Sequence, residues 1–263
     1  MTVALNTLIN LQAHPLAGAE FIDACRQQLD RRGVVALPGF LQPQILEQLV
    51  QEAAAAEPQA YFTASTHNVY LTPPDPGLPG DHIFNRQVVS TKGCICDDMV
   101  GQDSPLRLLY NHPVFQDFVS QVVGVTALYP YADPLSSLNI HYAPAGKELG
   151  WHFDNSEFAI TLLLQAPEAG GAYQYIKDLR DADAGEMNFK GVEAALDGTL
   201  PATTLPIDPG TLVLFRGRNS LHRVTPTIGS KTRYLVVLAY NGQPGISLSE
   251  TARQTFYGRI GTV

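Results

Sequence analysis

The chain has few cysteines, and that shortage excludes a disulfide-stapled secreted domain. Of its 263 residues only Cys25, Cys94 and Cys96 are cysteine. An odd and low count predicts reduced thiols, and it favours a cytoplasmic location. The Cys94-x-Cys96 spacing is too close for an ordinary zinc knuckle, and no second cysteine pair exists to complete one.

Basic residues and long apolar runs are also scarce. The 17 Lys and Arg are outnumbered by 25 Asp and Glu, which gives a net charge of −8. Such a chain is a poor candidate for binding nucleic acid or an anionic membrane. No apolar run approaches the length of a membrane span, and residues 1–10 lack the basic and apolar regions of a signal peptide. A small molecule is therefore the expected partner, with a homodimer left open.

Internal repeats and low-complexity linkers are absent as well, so we expect one domain over residues 1–263. Residues 1–125 are predicted to form a helical cap with lid-like loops, and residues 126–263 the core. Apolar residues recur at helical spacing in three early segments, namely 16–32, 43–56 and 104–123. Between the last two, prolines and glycines cluster from Pro73 to Gly80, so residues 58–100 are expected to form a lid-like region over a site, with some extended segments such as 88–90.

The second half of the chain has a different pattern, in which short apolar or alternating runs are separated by turn residues. The predicted strands are 127–131, 136–142, 150–154, 158–164, 172–176, 203–207, 211–215 and 233–240. Many short strands without intervening helices predict a mainly β (α+β) protein with a double-stranded β-helix, or jelly-roll, core. The N-terminal helices are expected to pack on its sheet.

One motif in this half points to a metal. In a strand, His152 and Asp154 lie on the same face, because side chains alternate along the strand. A jelly roll can bring His222, on a later strand, beside them. Two imidazoles and one carboxylate form the facial triad that is typical of non-haem Fe(II) oxygenases. Arg233 begins an apolar strand, where a buried guanidinium needs an acidic partner; the dicarboxylate 2-oxoglutarate would supply one.

These residues, on a predicted jelly roll, resemble those of the Fe(II)/2-oxoglutarate-dependent oxygenases. Residues 149–154, 158–165 and 214–226 resemble more closely the subgroup that contains carrier-independent amino-acid halogenases and their hydroxylase relatives. The resemblance is good over residues 130–260 and loose before them. It implies Fe(II) as cofactor, with 2-oxoglutarate and O2 as co-substrates.

The same resemblance bears on the reaction. Halogenases of this subgroup have Gly or Ala in place of the metal-binding carboxylate, which frees a position for chloride, whereas Asp154 is present here. The implied activity is hydroxylation of an unactivated C–H bond in a free amino acid or a similar metabolite. The resemblance suggests substrate contacts at Asn155, Tyr257, Val237 and Ala239. The last two are polar in lysine-using relatives, so lysine is a doubtful substrate.

Several alternatives stay open at this point. His141 could replace one of the three metal ligands, Asn139 or Tyr142 could help to hold 2-oxoglutarate, and Arg86 could reach the site from the lid. The same chemistry could give desaturation, epoxidation or cyclisation. A protein of a different class, a jelly roll that binds a metal or small acid without turnover, is the main rival. An oxygenase acting on protein side chains ranks below both.

Overall fold

The structure is a computed structural model, and it describes residues 4–261. Within that range the α-helices are α1 Leu5–Leu8, α2 Ala19–Arg32, α3 Pro43–Ala56, α4 Pro105–Tyr110, α5 Pro113–Val123, α6 Phe189–Leu196 and α7 Glu250–Tyr257. The strands are β1 Val34–Leu37, β2 Tyr61–Asn68, β3 Gln87–Ile95, β4 Leu138–Ala143, β5 Leu149–His152, β6 Ala159–Gln165, β7 Ala169–Gly170, β8 Tyr173–Ile176, β9 Thr203–Leu205, β10 Leu212–Phe215, β11 Leu221–Val224, β12 Thr227–Ile228 and β13 Arg233–Leu238. Among the described helices, none is both long and apolar enough to span a membrane.

The strands form an antiparallel jelly roll, as the sequence predicts. One sheet has the order β1-β10-β6-β13-β4, and the other has the order β5-β11-β8-β9. β3 pairs with β4 along one half and meets β5 at Ser90, so it joins the two sheets. The hydrogen-bonded neighbours are far apart in sequence, which is the pattern that a jelly roll requires.

The predicted N-terminal helices are present, and they pack on the outer face of the first sheet. Apolar residues of α2, α3 and α5 share one buried cluster with alternate residues of β4, β6, β10 and β13. Gly33 ends α2 in the left-handed conformation, with φ of 73°, which glycine adopts without a steric penalty. α4 and α5 begin at Pro105 and Pro113, where proline is tolerated because the first helical N–H has no partner.

The prediction for residues 58–100 is confirmed for the extended segment 88–90, which lies in β3, and wrong for the rest of the two strands. β2 and β3 pair along their whole length, from Tyr61 opposite Cys94 to Asn68 opposite Gln87. Only the connection between them, residues 69–86, is made of turns and irregular structure. The proline and glycine cluster thus marks a long loop between two strands. The strand predicted over 127–131 is also absent, apart from an isolated bridge between Tyr129 and Asn241.

The two faces of the first sheet differ in how completely they are covered. Along β13, Tyr234, Val236 and Leu238 point into the helical layer and are buried. The alternate residues Leu235 and Val237 face the second sheet and keep part of their surface accessible. The side of this sheet that faces the second sheet is therefore less completely covered than the side that faces the helices.

Candidate metal centre

The predicted metal ligands come together where β5 ends beside β11. The two strands are antiparallel, with His222 directly opposite His152, and the imidazole centroids lie 4.1 Å apart. Asp154 is two residues past His152, in the loop after β5. Its Oδ1 lies 3.6 Å from His152 Nε2 and 3.5 Å from His222 Nε2. All three candidate ligand atoms lie within 4.8 Å of one another, so one ion could bind them all.

The hydrogen bonds around these side chains fit a metal ion. His152 Nδ1 lies 2.8 Å from Gly150 O, and His222 Nδ1 lies 2.9 Å from Ser220 O. Because a carbonyl oxygen only accepts, each Nδ1 carries the proton and each Nε2 keeps a lone pair. The Asp154 Oδ2 atom is buried with no hydrogen-bond partner, which is rare for a carboxylate oxygen. A divalent cation would satisfy all three groups at once.

The electrostatic environment favours the protonation states that a metal needs. Burial alone would raise the pKa of Asp154, but the His222 and His152 imidazoles outweigh it and hold the pKa well below its usual range. Burial, followed by the neighbouring His222, lowers the pKa of His152. An ionised carboxylate beside a neutral imidazole is the pairing required for coordination.

Gly217 supports the carboxylate from behind. Its carbonyl accepts a 3.0 Å hydrogen bond from the Asp154 backbone N–H. A Cβ atom at position 217 would lie 2.5 Å from Asp154 Cγ and closer still to Oδ2. The connection between β10 and β11 can therefore pass this close to Asp154 only with glycine at that position.

Arg233, the first residue of β13, is buried between the sheets with 6% of its surface exposed. Burial lowers its pKa to about 10, so the guanidinium stays charged near neutral pH. Among residues 4–261 it forms no ion pair. Gly171 makes room for it, since a Cβ there would lie 3.0 Å from Arg233 Cδ. A buried cation without a carboxylate partner is costly unless an anion binds.

Tyr173 lies beside His222, and no feature of the sequence distinguishes it from other aromatic residues. Its ring centroid lies 5.8 Å from that of His222. Its pKa is raised first by burial and then by Asp154, and lowered by Arg233, so its hydroxyl is within electrostatic reach of both charges. β8 contains two tyrosines, and only the folded structure shows that the Tyr173 ring lies near that of His222.

A second basic group, also missed by the sequence reasoning, lies in the same interior. Lys92 Nζ is 3.1 Å from His141 Nε2. His141 is not part of the cluster of metal-ligand candidates, so the alternative in which it replaces a ligand receives no support. From the sequence alone, a single lysine in a strand is expected to face solvent. Only the position of β3 in the sheet shows that Lys92 faces the interior.

Four other predicted residues lie around the interior. Val237 and Ala239 lie on the alternating positions of β13 and its extension that face the second sheet. Asn139 is buried, and its amide donates to Leu135 O at 2.7 Å and to Leu138 O at 2.9 Å. Its Oδ1 accepts a 3.1 Å hydrogen bond from the Tyr257 hydroxyl. Asn139 therefore has little capacity left for a co-substrate.

Three predicted residues are not brought to the metal ligands. Tyr142 points into the helical layer and donates a 2.8 Å hydrogen bond to Ala53 O, because it alternates with His141 along β4. Arg86 forms a 2.6 Å ion pair with Asp197, and both side chains are more than 40% exposed. Asn155 is exposed and lines an outer cavity of about 570 Å³. We therefore leave Tyr142 and Arg86 out of the site.

Comparison of the sequence with models of known families shows the family to which this chain belongs. A sequence model of the family described as Halogenase D matches residues 90–256, more than half of the chain. The chain belongs to the Halogenase D family. The matched range runs from β3 to α7 and contains His152, Asp154, His222 and Arg233.

Solved structures place this Halogenase D chain in the 2-oxoglutarate/Fe(II) oxygenase fold. An oxidoreductase of the 2OG-Fe(II) oxygenase family from Burkholderia pseudomallei has a TM-score of 0.55 at 15% identity, covering 88% of this chain and 94% of its own. The α-ketoglutarate-dependent epimerase SnoN from nogalamycin biosynthesis has a TM-score of 0.60 at 15% identity, covering 85% and 81%. A Pseudomonas putida prolyl-4-hydroxylase has a TM-score of 0.53 at 14% identity, covering 82% and 96%. No curated protein matches the chain significantly.

Proposed function

We propose that this Halogenase D family member is a Fe(II)/2-oxoglutarate-dependent hydroxylase. Its substrate would be a free amino acid or a similar small metabolite with an unactivated C–H bond. His152, Asp154 and His222 would hold the iron, and Arg233 would bind the distal carboxylate of 2-oxoglutarate. The observation that carries the proposal is Asp154, whose Oδ1 lies beside both imidazoles while its buried Oδ2 has no partner.

The protein groups would bind, orient and exclude water. When bound, Fe(II) with 2-oxoglutarate and O2 supplies the oxidising power that an unactivated C–H bond requires. The carbonyls of Gly150 and Ser220 hold the Nδ1 protons in place, which fixes both imidazole planes. The apolar side chains of Leu235 and Val237, on the face of β13 that is turned to the second sheet, would help to exclude water.

The presence of Asp154 is also the reason for proposing hydroxylation and not halogenation. This residue occupies the position that is Gly or Ala in the halogenases this sequence resembles, so its carboxylate would take the place that is free for chloride in those enzymes. Desaturation, epoxidation and cyclisation depend on the substrate pose, and they stay as alternatives with the same residues. SnoN, whose structure in complex with Fe3+ and α-ketoglutarate has the same fold, is an epimerase.

The substrate would bind on the side of Val237 and Ala239. Neither residue can pair with a charged ammonium group, so lysine is a poor candidate. Tyr257, which is buried and bonded to Asn139, the cross-strand neighbour of Val237, would shape the wall beside them. Asn155, on the exposed loop after Asp154, would act only if that loop closes over the substrate.

The proposal is tested by a succinate-release screen with Fe(II), ascorbate and 2-oxoglutarate over free amino acids and related metabolites. The mass of each product then gives the reaction, since hydroxylation adds one oxygen atom whereas desaturation removes two hydrogens. Asp154→Ala should abolish product formation. Asp103→Ala, at an exposed aspartate outside the site, is the matched control and should behave as wild type.

Two results would contradict the proposal. Full activity in iron-reconstituted Asp154→Ala would remove Asp154 from the metal centre. A chlorinated product from the wild-type protein in chloride buffer would show that the carboxylate does not prevent halide binding. If the wild type binds iron and 2-oxoglutarate but no compound in the screen increases succinate release, the non-catalytic binding protein becomes the better account.

A further inference from the structure

The interior of the jelly roll contains a cation that the proposed metal and co-substrate sites do not use. Lys92 lies on β3 on the same face as Cys94, and Cys94 is directly opposite His141 on β4. This face therefore lines the space between the sheets. The Lys92 and His141 side chains are only partly buried by accessible surface, yet burial is the main cause that lowers the pKa of each. Both observations fit groups that line an internal cavity.

The ammonium group is held by an imidazole and lacks an acidic partner. Lys92 Nζ lies 3.1 Å from His141 Nε2 and 3.5 Å from Nδ1. Burial, then Lys92 and then Arg233, lower the pKa of His141 well below its usual value, so the imidazole is neutral and accepts a hydrogen bond from Lys92. Within residues 4–261 no carboxylate lies within ion-pair distance of Lys92. At least two of its three N–H groups therefore remain for a ligand.

The charges of the site leave one positive charge over. When Lys92 is protonated, it and Arg233 bring two positive charges against the one negative charge of Asp154. Fe(II) and the 2-oxoglutarate dianion would cancel each other, so binding both leaves the excess unchanged. A desolvated cation is costly unless it is paired, which favours a second anion in the cavity.

The position of the ammonium group distinguishes it from Arg233. His141 is opposite Leu235 on β13, two residues along the strand from Arg233, which is itself opposite Ala143. Lys92 Nζ also lies 5.9 Å from the centroid of the Phe256 ring on α7, a partly exposed residue. The ammonium group is therefore held beside His141, whose partner on β13 is two residues from Arg233. It also lies close to α7, the helix that borders the interior.

We propose that Lys92, positioned by His141, binds a carboxylate of the prime substrate, while Arg233 binds 2-oxoglutarate separately. This rests on the function proposed above, and it narrows the substrate to a compound with a free carboxylate. An amide or ester of the same compound would lack the charge that Lys92 requires. His141 acts here as a positioning residue, since its ring holds the ammonium group and has no role at the metal.

The test is an anaerobic titration, which needs no turnover. Wild-type protein loaded with Fe(II) and 2-oxoglutarate is titrated with free amino acids and, in parallel, with their carboxamides. Binding is followed by calorimetry and by the visible charge-transfer absorption of the Fe(II)–2-oxoglutarate chelate. A charged hydrogen bond predicts that the best acid binds about 10- to 100-fold tighter than its amide. Lys92→Met should remove this preference and leave the affinity for 2-oxoglutarate within about twofold.

Matched variants separate a binding role from a structural one. Lys190→Met, at an exposed lysine on α6, should keep the preference for the acid. Lys92→Gln, which keeps a donor without the charge, should keep only part of it. Thermal denaturation of the ligand-free Lys92→Met protein should show a melting temperature no lower than that of wild type, because an unpaired buried charge is removed.

Three outcomes would overturn the proposal. The ratio of acid to amide affinity could be unchanged in Lys92→Met, the variant could lose affinity for 2-oxoglutarate instead, or no acid in the panel could bind the loaded wild type. Failure of the underlying function has a different signature. In that case the wild-type protein would form no chelate absorption with Fe(II) and 2-oxoglutarate in the first place.

Discussion

Replacing Gly217 with alanine should weaken metal binding without unfolding the protein. Gly217 is not among the glycines with positive φ, so alanine introduces no backbone strain there. The nearest atoms all belong to Asp154, because the new Cβ would lie 2.5 Å from its Cγ and closer still to Oδ2. An ordinary contact requires about 3.5 Å, so the carboxylate would have to retreat by more than about 1 Å.

A retreat of that size breaks the geometry of the centre. Oδ1 now lies 3.5 to 3.6 Å from the two imidazole nitrogens, a spacing that one ion can bridge. Disturbing the support of a ligand typically lowers metal affinity by about 10- to 100-fold, equivalent to about 1.4 to 2.7 kcal/mol. The assay is an anaerobic titration with Fe(II), or with Mn(II) as an air-stable substitute, and thermal denaturation of the metal-free variant verifies that it is folded.

A double-mutant cycle makes the reasoning refutable. If Gly217→Ala acts only by displacing the Asp154 side chain, it should cost nothing further in an Asp154→Gly protein, because the carboxylate and the Cβ that would lie 2.9 Å away are both gone. An equal loss of affinity in both backgrounds would show that Gly217 acts through the backbone or the imidazoles instead. Unchanged affinity in the single variant would show that Asp154 is not a ligand or can move freely.

Three other predictions follow from single contacts. Arg233→Gln should raise the KM for 2-oxoglutarate by at least about 10-fold with little change in the KM for the prime substrate, since it removes a charged hydrogen bond to the co-substrate; equal effects on both KM values would contradict it. Burial raises the pKa of Cys25 from 9.0 to about 11, so between these pH values the folded state keeps a proton that the unfolded state loses. The free energy of unfolding should therefore fall by on the order of 2 kcal/mol as the pH rises from 9.0 to about 11. Chemical denaturation should show a smaller decrease over the same pH range in Cys25→Ala. Tyr257→Phe loses the bond to Asn139 and should lower the free energy of unfolding by about 1 kcal/mol while iron affinity stays the same, and a drop in iron affinity would count against the structural role.

The sequence was sufficient for the fold and for the proposed metal ligands because both depend on local alternation. His152 and Asp154 share a strand face by spacing alone, and the turn residues between short apolar runs separate one strand from the next. The jelly-roll topology then determines that a later strand returns beside the first, which brings His222 opposite His152. Arg233 was recognisable because a charge at the start of an apolar strand is unusual.

What the sequence could not provide depends on register and on long-range pairing. β2 and β3 are stabilised by pairing with each other and with β4. Neither has a regular alternation of polar and apolar residues, so the proline-rich loop between them dominated the sequence pattern. Tyr142 and His141 are neighbours, and only the packing of the helices shows which of the two faces the interior. Lys92 and Tyr173 acquire meaning only once β3 and β8 are placed around the cavity.

The pairing of β5 with β11 also sets the order in which the centre can be built during synthesis. His152 and Asp154 leave the ribosome well before His222, and the strand carrying His222 must dock between β5 and β8. Until then the proposed centre would consist of only one imidazole and one carboxylate, too few ligands to retain an iron ion. If these three side chains hold the iron as proposed, metal loading would wait for completion of the sheet, and newly made chains would gain no stability from iron until almost the whole domain has folded.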